Sequence, residues 1–189
     1  MKNLFILSWP SGVWKTTLYE EFKKYYPNSN IEKIITTTTR NMRDYEIDWK
    51  DYYFVDVDYF KKLINENKLI EYAKVYNNYY WSTYEELNRI IDKSIQPLYI
   101  VDPQWVKTLK NKLNNTYKIK TIFILPPSID TLKKRLLKRG ETYNSKSFKI
   151  RLEESLIRLN EKSNYDYNIL NDDLQIAVDD FKKIIDQNV

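Results

Sequence analysis

Short apolar segments alternate with helical segments along most of this chain, and the alternation restricts the folds that it can adopt. Apolar runs lie at residues 4–8, 98–101 and 119–125, and each is followed by a segment predicted to be helical. Strands that alternate with helices in this way form a mainly parallel sheet covered by helices on both faces. The predicted fold class is therefore α/β.

Length and composition narrow the class of protein further. The chain has 189 residues, 42% of them apolar and 30% charged, which is typical of one soluble globular domain. It contains neither Cys nor His, so we expect no disulfide, no zinc or haem site and no imidazole base. Any metal is then a hard cation bound by oxygen atoms. The first apolar run ends at Ser8, too short for a secretory or membrane-spanning segment, so a cytoplasmic location is predicted.

The net charge of +5 could indicate nucleic-acid binding. The lysines, however, are scattered over predicted helix faces and alternate with acidic residues, and they form no basic groove interleaved with aromatic residues. We therefore predict no nucleic-acid partner and no membrane partner. Small molecules that carry phosphate groups suit the arginines described below.

A phosphate-binding loop is predicted between the first strand and the first helix. Residues 9–16 read Trp-Pro-Ser-Gly-Val-Trp-Lys-Thr, where a P-loop has the pattern G-x-x-x-x-G-K-[ST]. The lysine, the hydroxyl residue and both flanking elements are present, but tryptophan replaces both defining glycines. Taken alone, the segment is also consistent with a loop in which two aromatic residues cap the core.

The wider sequence strongly resembles guanylate kinases, and the resemblance covers nearly the whole chain. The matching residues occur in the order found in that family: Ser11-Gly12, Thr38-Thr39-Arg40, Arg43, Glu46, Asp51-Tyr52, Phe54-Val55, Glu71-Tyr72-Ala73, Asn78-Tyr79-Tyr80, Asp102, Gln104, Pro126-Pro127-Ser128, Arg139-Gly140 and Asn171-Asp172-Asp173-Leu174. The resemblance implies a P-loop NTPase parallel sheet flanked by helices, with a small mixed-β GMP-binding subdomain and a helical lid. It implies a single domain, 1–189, made of a core (1–34, 84–127 and 163–189), a GMP-binding subdomain (35–83) and a lid (128–162).

The implied activity is transfer of the terminal phosphoryl group of ATP to GMP, with Mg²⁺ bound together with ATP. By this resemblance Lys15 reaches the β- and γ-phosphates, and the Thr16 hydroxyl is the metal ligand. ATP binding is assigned to six residues: Ser11, Gly12, Lys15, Thr16, Thr17 and Asn171. Catalysis is assigned to five cations: Lys15, Arg40, Arg135, Arg139 and Arg151. No general base is required, because the phosphate of GMP is itself a nucleophile.

Recognition of GMP requires residues that bind its phosphate and hydrogen-bonding groups that match the donors and acceptors of guanine. Arg40 and Arg43 are three residues apart beside a threonine tract, a spacing that suits two guanidinium groups on one phosphate, although two surface arginines would look the same. A carboxylate opposite guanine N1 and N2, with hydroxyls opposite O6, distinguishes guanine from adenine. The resemblance assigns GMP binding to eight residues: Thr36, Arg40, Arg43, Tyr52, Glu71, Tyr80, Ser82 and Asp102. The family usually has a second acidic residue two positions before the one that matches Asp102, but this chain has Ile100 there.

All five tryptophans lie at positions where the family has glycine: Trp9, Trp14, Trp49, Trp81 and Trp105. Glycine itself occurs only twice, against roughly 13 at the average usage of about 7%. A genetic code that reads UGA as glycine, translated with a table that reads it as tryptophan, would give this pattern. We therefore hypothesise that these residues are glycines in the living protein. Glycines in a P-loop let backbone N–H groups approach the phosphates in conformations closed to most other residues.

Two other functions are kept as alternatives. A catalytically inactive guanylate-kinase-like protein-interaction module would fit if Trp9 and Trp14 are real, although such modules tend to lose the donor-site residues that this chain retains. A kinase for a different nucleoside monophosphate is disfavoured by Glu71. A homodimer is left open.

Overall fold

Nine strands and seven α-helices make up the described part of the protein. The structure is a computed structural model that describes residues 1–10, 15–75, 77–138, 142–143 and 145–188, without the side chains of residues 15, 16 and 75. In chain order the elements are β1 (Lys2–Ser8), α1 (Lys15–Tyr25), β2 (Ile31–Lys33), β3 (Thr37–Thr38), β4 (Tyr53–Phe54), α2 (Val57–Asn65), β5 (Leu69–Val75), β6 (Asn78–Thr83), α3 (Tyr84–Asp92), β7 (Gln96–Ile100), α4 (Pro103–Leu113), β8 (Tyr117–Leu125), α5 (Ile129–Lys138), α6 (Lys146–Leu159), β9 (Tyr167–Leu170) and α7 (Leu174–Asp186). Within these ranges, no helix is both long enough and apolar enough to cross a bilayer.

Five strands form the large sheet, in the order β2-β7-β1-β8-β9, and each neighbouring pair is parallel. Side chains alternate between the two faces of a strand. On the central strand β1, Phe5 and Leu7 therefore face one side of the sheet, whereas Leu4 and Ile6 face the other, and all four are fully buried. A strand that is apolar on both faces is typical of a parallel sheet covered by helices on both sides.

Helices supply the apolar surface on each face of the large sheet. On one face, α1 and α7 meet through Phe22 and Phe181, whose ring centroids are 4.9 Å apart in an edge-to-face arrangement. On the other face, Ile90 of α3 and Leu109 of α4 are completely buried. Burial of each such side chain contributes about 1.5–3 kcal/mol to folding. This architecture confirms the predicted α/β class and its parallel sheet flanked by helices.

A second, smaller sheet has the strand order β4-β3-β6-β5. Its β3–β4 pair is parallel, whereas its β3–β6 and β5–β6 pairs are antiparallel, so the sheet is mixed as predicted. The small sheet has its own apolar cluster, in which Phe60 and Leu63 of α2 pack with Trp81 of β6. The chain enters this sheet after β2 and leaves it at Thr83, where α3 begins.

Candidate active site

A cavity of about 610 Å³ opens between the large sheet, the small sheet and α6. Asp102, just after β7, lines it together with Ala73 and Lys74 of β5 and Arg151 of α6. Ligands of open parallel sheets bind in the crevice outside the carboxyl ends of the strands, and Asp102 lies at such an end. The fold therefore brings two of the predicted site residues, Asp102 and Arg151, to one cavity.

Glu71 and Ser82 form a hydrogen-bonded pair in the small sheet, in which Ser82 is fully buried and Glu71 is half-buried. They lie directly opposite each other on β5 and β6, and the Ser82 hydroxyl donates a hydrogen bond of 3.0 Å to Glu71 Oε1. Burial raises the pKa of Glu71 to about 7, although the hydrogen bonds from Ser82 oppose this shift. The pair presents a carboxylate and a hydroxyl side by side, as recognition of guanine requires.

Thr36, the third residue predicted to contact guanine, lies just before β3. The antiparallel register pairs Thr37 with Trp81 and Thr38 with Tyr80, so one further step along it sets Thr36 opposite Ser82. The Thr36 carbonyl also accepts a hydrogen bond of 3.0 Å from the backbone N–H of residue 53. Strand pairing thus places the three predicted guanine contacts at one end of the small sheet.

Arg40 lies among aromatic rings and is held by a carboxylate. Its Nη2 donates to both carboxylate oxygens of Glu46, at 2.6 and 2.9 Å, and its Cζ lies 5.7 Å from the Tyr52 ring centroid and 5.6 Å from that of Phe54. The rings of Tyr52 and Tyr80 meet edge to face, with centroids 6.1 Å apart. The hydrogen bonds to Glu46 raise the pKa of Arg40, and burial raises the pKa of Tyr52 to about 12. The cluster is therefore a guanidinium group paired with one carboxylate and placed beside two tyrosine rings.

Arg43 is only partly associated with this cluster. Its backbone N–H donates to Glu46 Oε2 at 2.9 Å, but its guanidinium group donates to the Tyr45 hydroxyl at 2.9 Å and is exposed. The structure thus joins Arg40, Tyr52 and Tyr80, and it directs the Arg43 side chain elsewhere. The predicted role of Arg43 in binding the GMP phosphate stays a prediction.

On the donor side, Arg135 of α5 contacts the segment after β9. Its Nη2 donates to the Asn171 carbonyl at 3.0 Å, and the Asn171 N–H donates to the Leu125 carbonyl at the end of β8, at 2.8 Å. Burial lowers the pKa of the Arg135 guanidinium group, whereas the neighbouring Asp172 raises it. Two residues predicted for the ATP side, Arg135 and Asn171, are therefore in direct contact.

The predicted phosphate loop leads into α1, which begins at Lys15. Thr17 lies in the first turn of this helix, where backbone N–H groups favour anions. Three predicted residues, Ser11, Gly12 and Arg139, lie outside the described residues, as do the side chains of Lys15 and Thr16. In the described part of the chain, no group of three or more acidic side chains is placed to hold a metal ion.

The structure adds two residues to this site that the sequence analysis did not assign to it. Glu46 matched the family pattern, but only the structure shows that its carboxylate holds Arg40. Tyr99 of β7 is completely buried, and burial raises its pKa. Within the described residues, its hydroxyl has no hydrogen-bond partner, although Ser82 is near enough to affect that pKa. A tyrosine in an apolar strand is typical of a core residue, so no sequence signal indicated this position.

The parallel sheet flanked by helices, together with the small mixed sheet, defines an α/β protein with the P-loop NTPase fold. A family model, Guanylate kinase, matches residues 1–188. The guanylate kinases of Buchnera aphidicola subsp. Schizaphis graminum and Rickettsia prowazekii are 39% and 37% identical over 182 residues, covering 96% of this chain and 86% and 89% of those proteins. The crystal structure of guanylate kinase from Anaplasma phagocytophilum aligns with a TM-score of 0.73 at 27% identity, covering 98% of this chain and 85% of that chain. The chain belongs to the guanylate kinase family.

This membership confirms the resemblance drawn from the sequence. It also confirms that the chain has the architecture of an enzyme family, with a parallel sheet, flanking helices and a mixed sheet. The alternative of an inactive interaction module gains no support from these relatives. Each is named as the enzyme, and the match covers most of its length.

Proposed function

We propose that this protein is an ATP:GMP phosphotransferase, which transfers the terminal phosphoryl group of ATP to GMP and gives ADP and GDP. The observation that carries the proposal is the part-buried Glu71–Ser82 pair, joined by a hydrogen bond of 3.0 Å between neighbouring strands. Burial of a carboxylate is costly unless hydrogen bonds compensate for the lost water. The hydrogen bond from Ser82 supplies one, and guanine would supply two more. Here the pair lies in the sheet that also carries Arg40, Tyr52 and Tyr80.

The pair matches guanine better than it matches adenine. The Glu71 carboxylate accepts hydrogen bonds from guanine N1–H and from the N2 amino group, while the Thr36 hydroxyl donates to O6. The single Ser82 hydroxyl hydrogen donates to Glu71 in this structure, so it turns from that carboxylate to O6 when guanine binds. Adenine offers an acceptor at N1, which would face the carboxylate and leave it without a donor. A buried mismatch of this kind costs about 1–3 kcal/mol. Glu71 therefore selects guanine as the base of the acceptor.

The cluster around Arg40 binds the phosphate of the acceptor in this proposal. Glu46 fixes the plane of the guanidinium group, and Tyr52 and Tyr80 provide two hydroxyls beside it. A planar guanidinium group binds a phosphate through paired hydrogen bonds. Because Arg40 is held in place before GMP arrives, less conformational entropy is lost on binding. Arg43 joins this grip if its side chain turns away from Tyr45.

The donor phosphates are held by the cations of the phosphate loop and the lid. Lys15 contacts the β- and γ-phosphates, and Arg135, Arg139 and Arg151 neutralise charge on the phosphoryl group in transit. Closure of the small sheet and the lid over the cavity excludes water, which limits wasteful hydrolysis of ATP. The division into core (1–34, 84–127 and 163–189), GMP-binding subdomain (35–83) and lid (128–162) is part of this proposal.

Mg²⁺ fits the oxygen donors that the chain provides. The Thr16 hydroxyl would hold the ion, and the Asp102 carboxylate, which makes no capping hydrogen bond on α4 and lines the cavity, can accept from water molecules around it. Bound with ATP, the ion neutralises part of the phosphate charge. The protein's own contribution is to hold both substrates in line, since phosphoryl transfer depends mainly on positioning.

The test is ATP-dependent conversion of a panel of nucleoside monophosphates, measured by coupling ADP formation to NADH oxidation. We expect GMP to be the preferred acceptor, IMP to be weaker because it lacks the N2 donor, and AMP and UMP to be poor. The assay uses the chain as printed and a version with glycine at positions 9, 14, 49, 81 and 105. GMP binding without turnover in both versions would favour the interaction module instead.

The cellular setting completes the proposal. We expect the protein to act in the cytoplasm on free ATP and GMP, and to bind neither nucleic acid nor membrane. A homodimer stays a prediction, which light scattering coupled to size-exclusion chromatography would measure.

A further inference from the structure

A buried carboxylate lies where the chain passes between the two sheets. Glu86, in the first turn of α3, is only 4% exposed. The chain leaves β2 for the small sheet through residues 34–36 and returns to the large sheet through Thr83, the residue that caps α3. Both crossings pass beside Glu86, so this side chain can contact the core and the small sheet at once.

The Glu86 carboxylate accepts hydrogen bonds from three residues on different elements. Its Oε1 accepts from the Ile35 N–H at 3.0 Å, and its Oε2 accepts from the Tyr53 hydroxyl at 3.0 Å. Arg89 donates from Nε to Oε2 at 2.8 Å and from Nη2 to Oε1 at 3.0 Å. Arg89 also donates to Glu32 of β2 at 2.6 Å. The buried charge is thus paired and anchored to the large sheet, while Ile35 and Tyr53 connect it to the small sheet.

The small-sheet contacts of Glu86 are each next to a residue of the proposed acceptor site. Ile35 immediately precedes Thr36, which is predicted to contact guanine. Tyr53 immediately follows Tyr52, which lies in the phosphate cluster with Arg40. In addition, the Tyr53 N–H donates to the Thr36 carbonyl at 3.0 Å, so the two contacted segments are joined to each other.

A further contact of Glu86, made by its backbone, connects it to the residue after Ser82. The Thr83 hydroxyl accepts a hydrogen bond of 3.1 Å from the Glu86 N–H, and Thr83 directly follows Ser82. In a capping box, a glutamate at this helical position would turn back to the N–H of the capping residue. Glu86 instead uses both carboxylate oxygens on the crossing segment, the small sheet and Arg89. Helix capping alone therefore does not explain where this carboxylate points.

We propose that Glu86 is a positioning residue for the acceptor substrate. Anchored to the large sheet through Arg89, it fixes the segments that carry Thr36 and Tyr52, and through them the geometry of the GMP site. Glu86 itself does not touch GMP. The inference rests on the proposed function, because it takes these residues as contacts of GMP.

The test compares Tyr53→Phe and Glu86→Gln with the wild-type protein. Tyr53→Phe removes one hydroxyl and one hydrogen bond, and we expect the KM for GMP to rise about fivefold, the factor that corresponds to the net contribution of one hydrogen bond. Glu86→Gln also weakens the contacts with Arg89, so we expect a larger rise, about tenfold or more. The KM for ATP is expected to stay within about twofold in both variants, because neither change is near the donor side.

Two control variants separate positioning from general loss of stability. Glu85→Gln makes the same chemical change at the neighbouring exposed position and is expected to leave both KM values unchanged. Ile184→Val removes a methylene group from the core cluster on the opposite face of the large sheet. It measures how much the KM values change when stability alone is reduced. If Glu86→Gln does not fold, Tyr53→Phe carries the test, since it removes a single hydrogen bond of the network.

Selective weakening of GMP, by KM and by calorimetric GMP binding, supports the inference. An equal rise in the KM values for GMP and ATP would overturn it. So would a rise in the KM for GMP in Ile184→Val that equals the rise in Tyr53→Phe, when the two variants have lost the same amount of Tm. The proposed function is judged separately, on the wild-type protein. Wild-type protein that phosphorylates GMP, with variants that show no selective effect, contradicts the inference alone. Wild-type protein that neither binds nor phosphorylates GMP contradicts both.

Discussion

The acceptor and donor sides of the site are built in different ways. On the acceptor side, contacts run across neighbouring strands of one small sheet, as in Glu71–Ser82, or within one loop, as in Arg40–Glu46. On the donor side, the cations lie on separate helices: Arg135 contacts the segment after β9, whereas Arg151 of α6 lines an open cavity. The groups proposed for base recognition are therefore assembled in advance, whereas the groups proposed for phosphoryl transfer lie on different elements.

This difference suits the two tasks. A base is recognised by a fixed pattern of donors and acceptors, and a site formed in advance loses less conformational entropy on binding. Phosphoryl transfer also requires exclusion of water, and a site that must first admit ATP has to close afterwards. Changes on the acceptor side are thus expected to alter GMP recognition, and changes on the donor side to alter turnover.

The largest expected effect is the loss of Arg135. We expect Arg135→Ala to lower kcat about 1,000-fold, because a cation that neutralises the phosphoryl group in transit contributes that order of rate. GMP binding, measured by calorimetry, is expected to stay within about twofold. Lys134→Ala, at the exposed neighbouring position on α5, is the matched control and is expected to retain its activity. Lost GMP binding with normal kcat would reverse the assignment of the two sides.

The second prediction concerns the opposite side. We expect Glu71→Gln to lower kcat/KM for GMP about 100-fold, because the amide N–H₂ would face a guanine donor inside a buried site. The affinity for ATP is expected to be unchanged, as measured by binding of a non-hydrolysable analogue. Glu85→Gln, an exposed change of the same kind on α3, serves as the control. A variant that keeps its preference for GMP over AMP would exclude Glu71 as the carboxylate that reads the base.

The sequence predicted the sheet and several site residues, but it did not predict which side chains contact each other. Strand and helix patterns predicted the parallel sheet, and the family pattern indicated Glu71 and Ser82 before strand pairing was known. Their contact follows only from the β5–β6 register, which sets residues eleven apart in sequence directly opposite each other. The contact of Glu86 with Ile35 joins residues 51 positions apart. A glutamate in the first turn of a helix is typical of an exposed charge, so its burial could not be predicted.

The third prediction uses the raised pKa of Glu71, about 7 because of burial. Guanine binding requires the ionised carboxylate, so we expect guanosine to bind about tenfold more tightly at pH 8 than at pH 6. Guanosine is the better probe, since the phosphate of GMP titrates in the same range. Glu71→Gln is expected to abolish the dependence. Unchanged guanosine affinity across this range in the wild-type protein would mean that Glu71 is ionised throughout.

Ionisation of Glu71 is also expected to affect protein stability, in the opposite direction: as pH rises, guanosine affinity rises but stability falls. The unfolded chain releases this proton near the ordinary glutamate pKa of about 4.3, whereas the folded chain holds it until about pH 7. Between these values the folded state binds more protons, so the free energy of unfolding falls as pH rises. The loss at full ionisation is about 4 kcal/mol. Glu71→Gln is therefore expected to gain stability over the wild type at pH 8 but not at pH 4, as measured by urea unfolding.

The tryptophans also divide between regions of the structure. Trp49 has a positive φ of 67° and is 72% exposed, in the loop before β4. Trp81 is 1% exposed in the small sheet, and its indole N–H makes no hydrogen bond within the described chain. Trp9 and Trp105 pack against apolar side chains, and Trp14 lies outside the described residues. The positive φ at position 49 favours glycine in the living protein, whereas Trp81 packs against Phe60 in the apolar cluster of the small sheet. Peptide sequencing of natively produced material tests the recoding hypothesis directly.

The smallest expected effect is at position 49, where the recoding hypothesis makes a prediction about stability. A non-glycine residue in the left-handed region costs about 1–2 kcal/mol. Trp49→Gly relieves this cost but loses an edge-to-face contact with Tyr53 at 5.3 Å, which contributes about 0.5–1.5 kcal/mol. From the midpoints of these two ranges we expect a net gain of about 0.5 kcal/mol in the free energy of unfolding in urea.

Tyr45→Gly is the matched control for this change. Tyr45 is an exposed aromatic residue of the same loop, and it is not among the described residues with positive φ, which are Trp49, Asn67 and Ser94. Glycine there relieves no strain, so we expect Tyr45→Gly to lose about 0.5–1 kcal/mol. Opposite signs at the two positions would show that the backbone at residue 49 requires glycine. Equal losses would mean that tryptophan is tolerated there, and the recoding hypothesis would lose its clearest structural support.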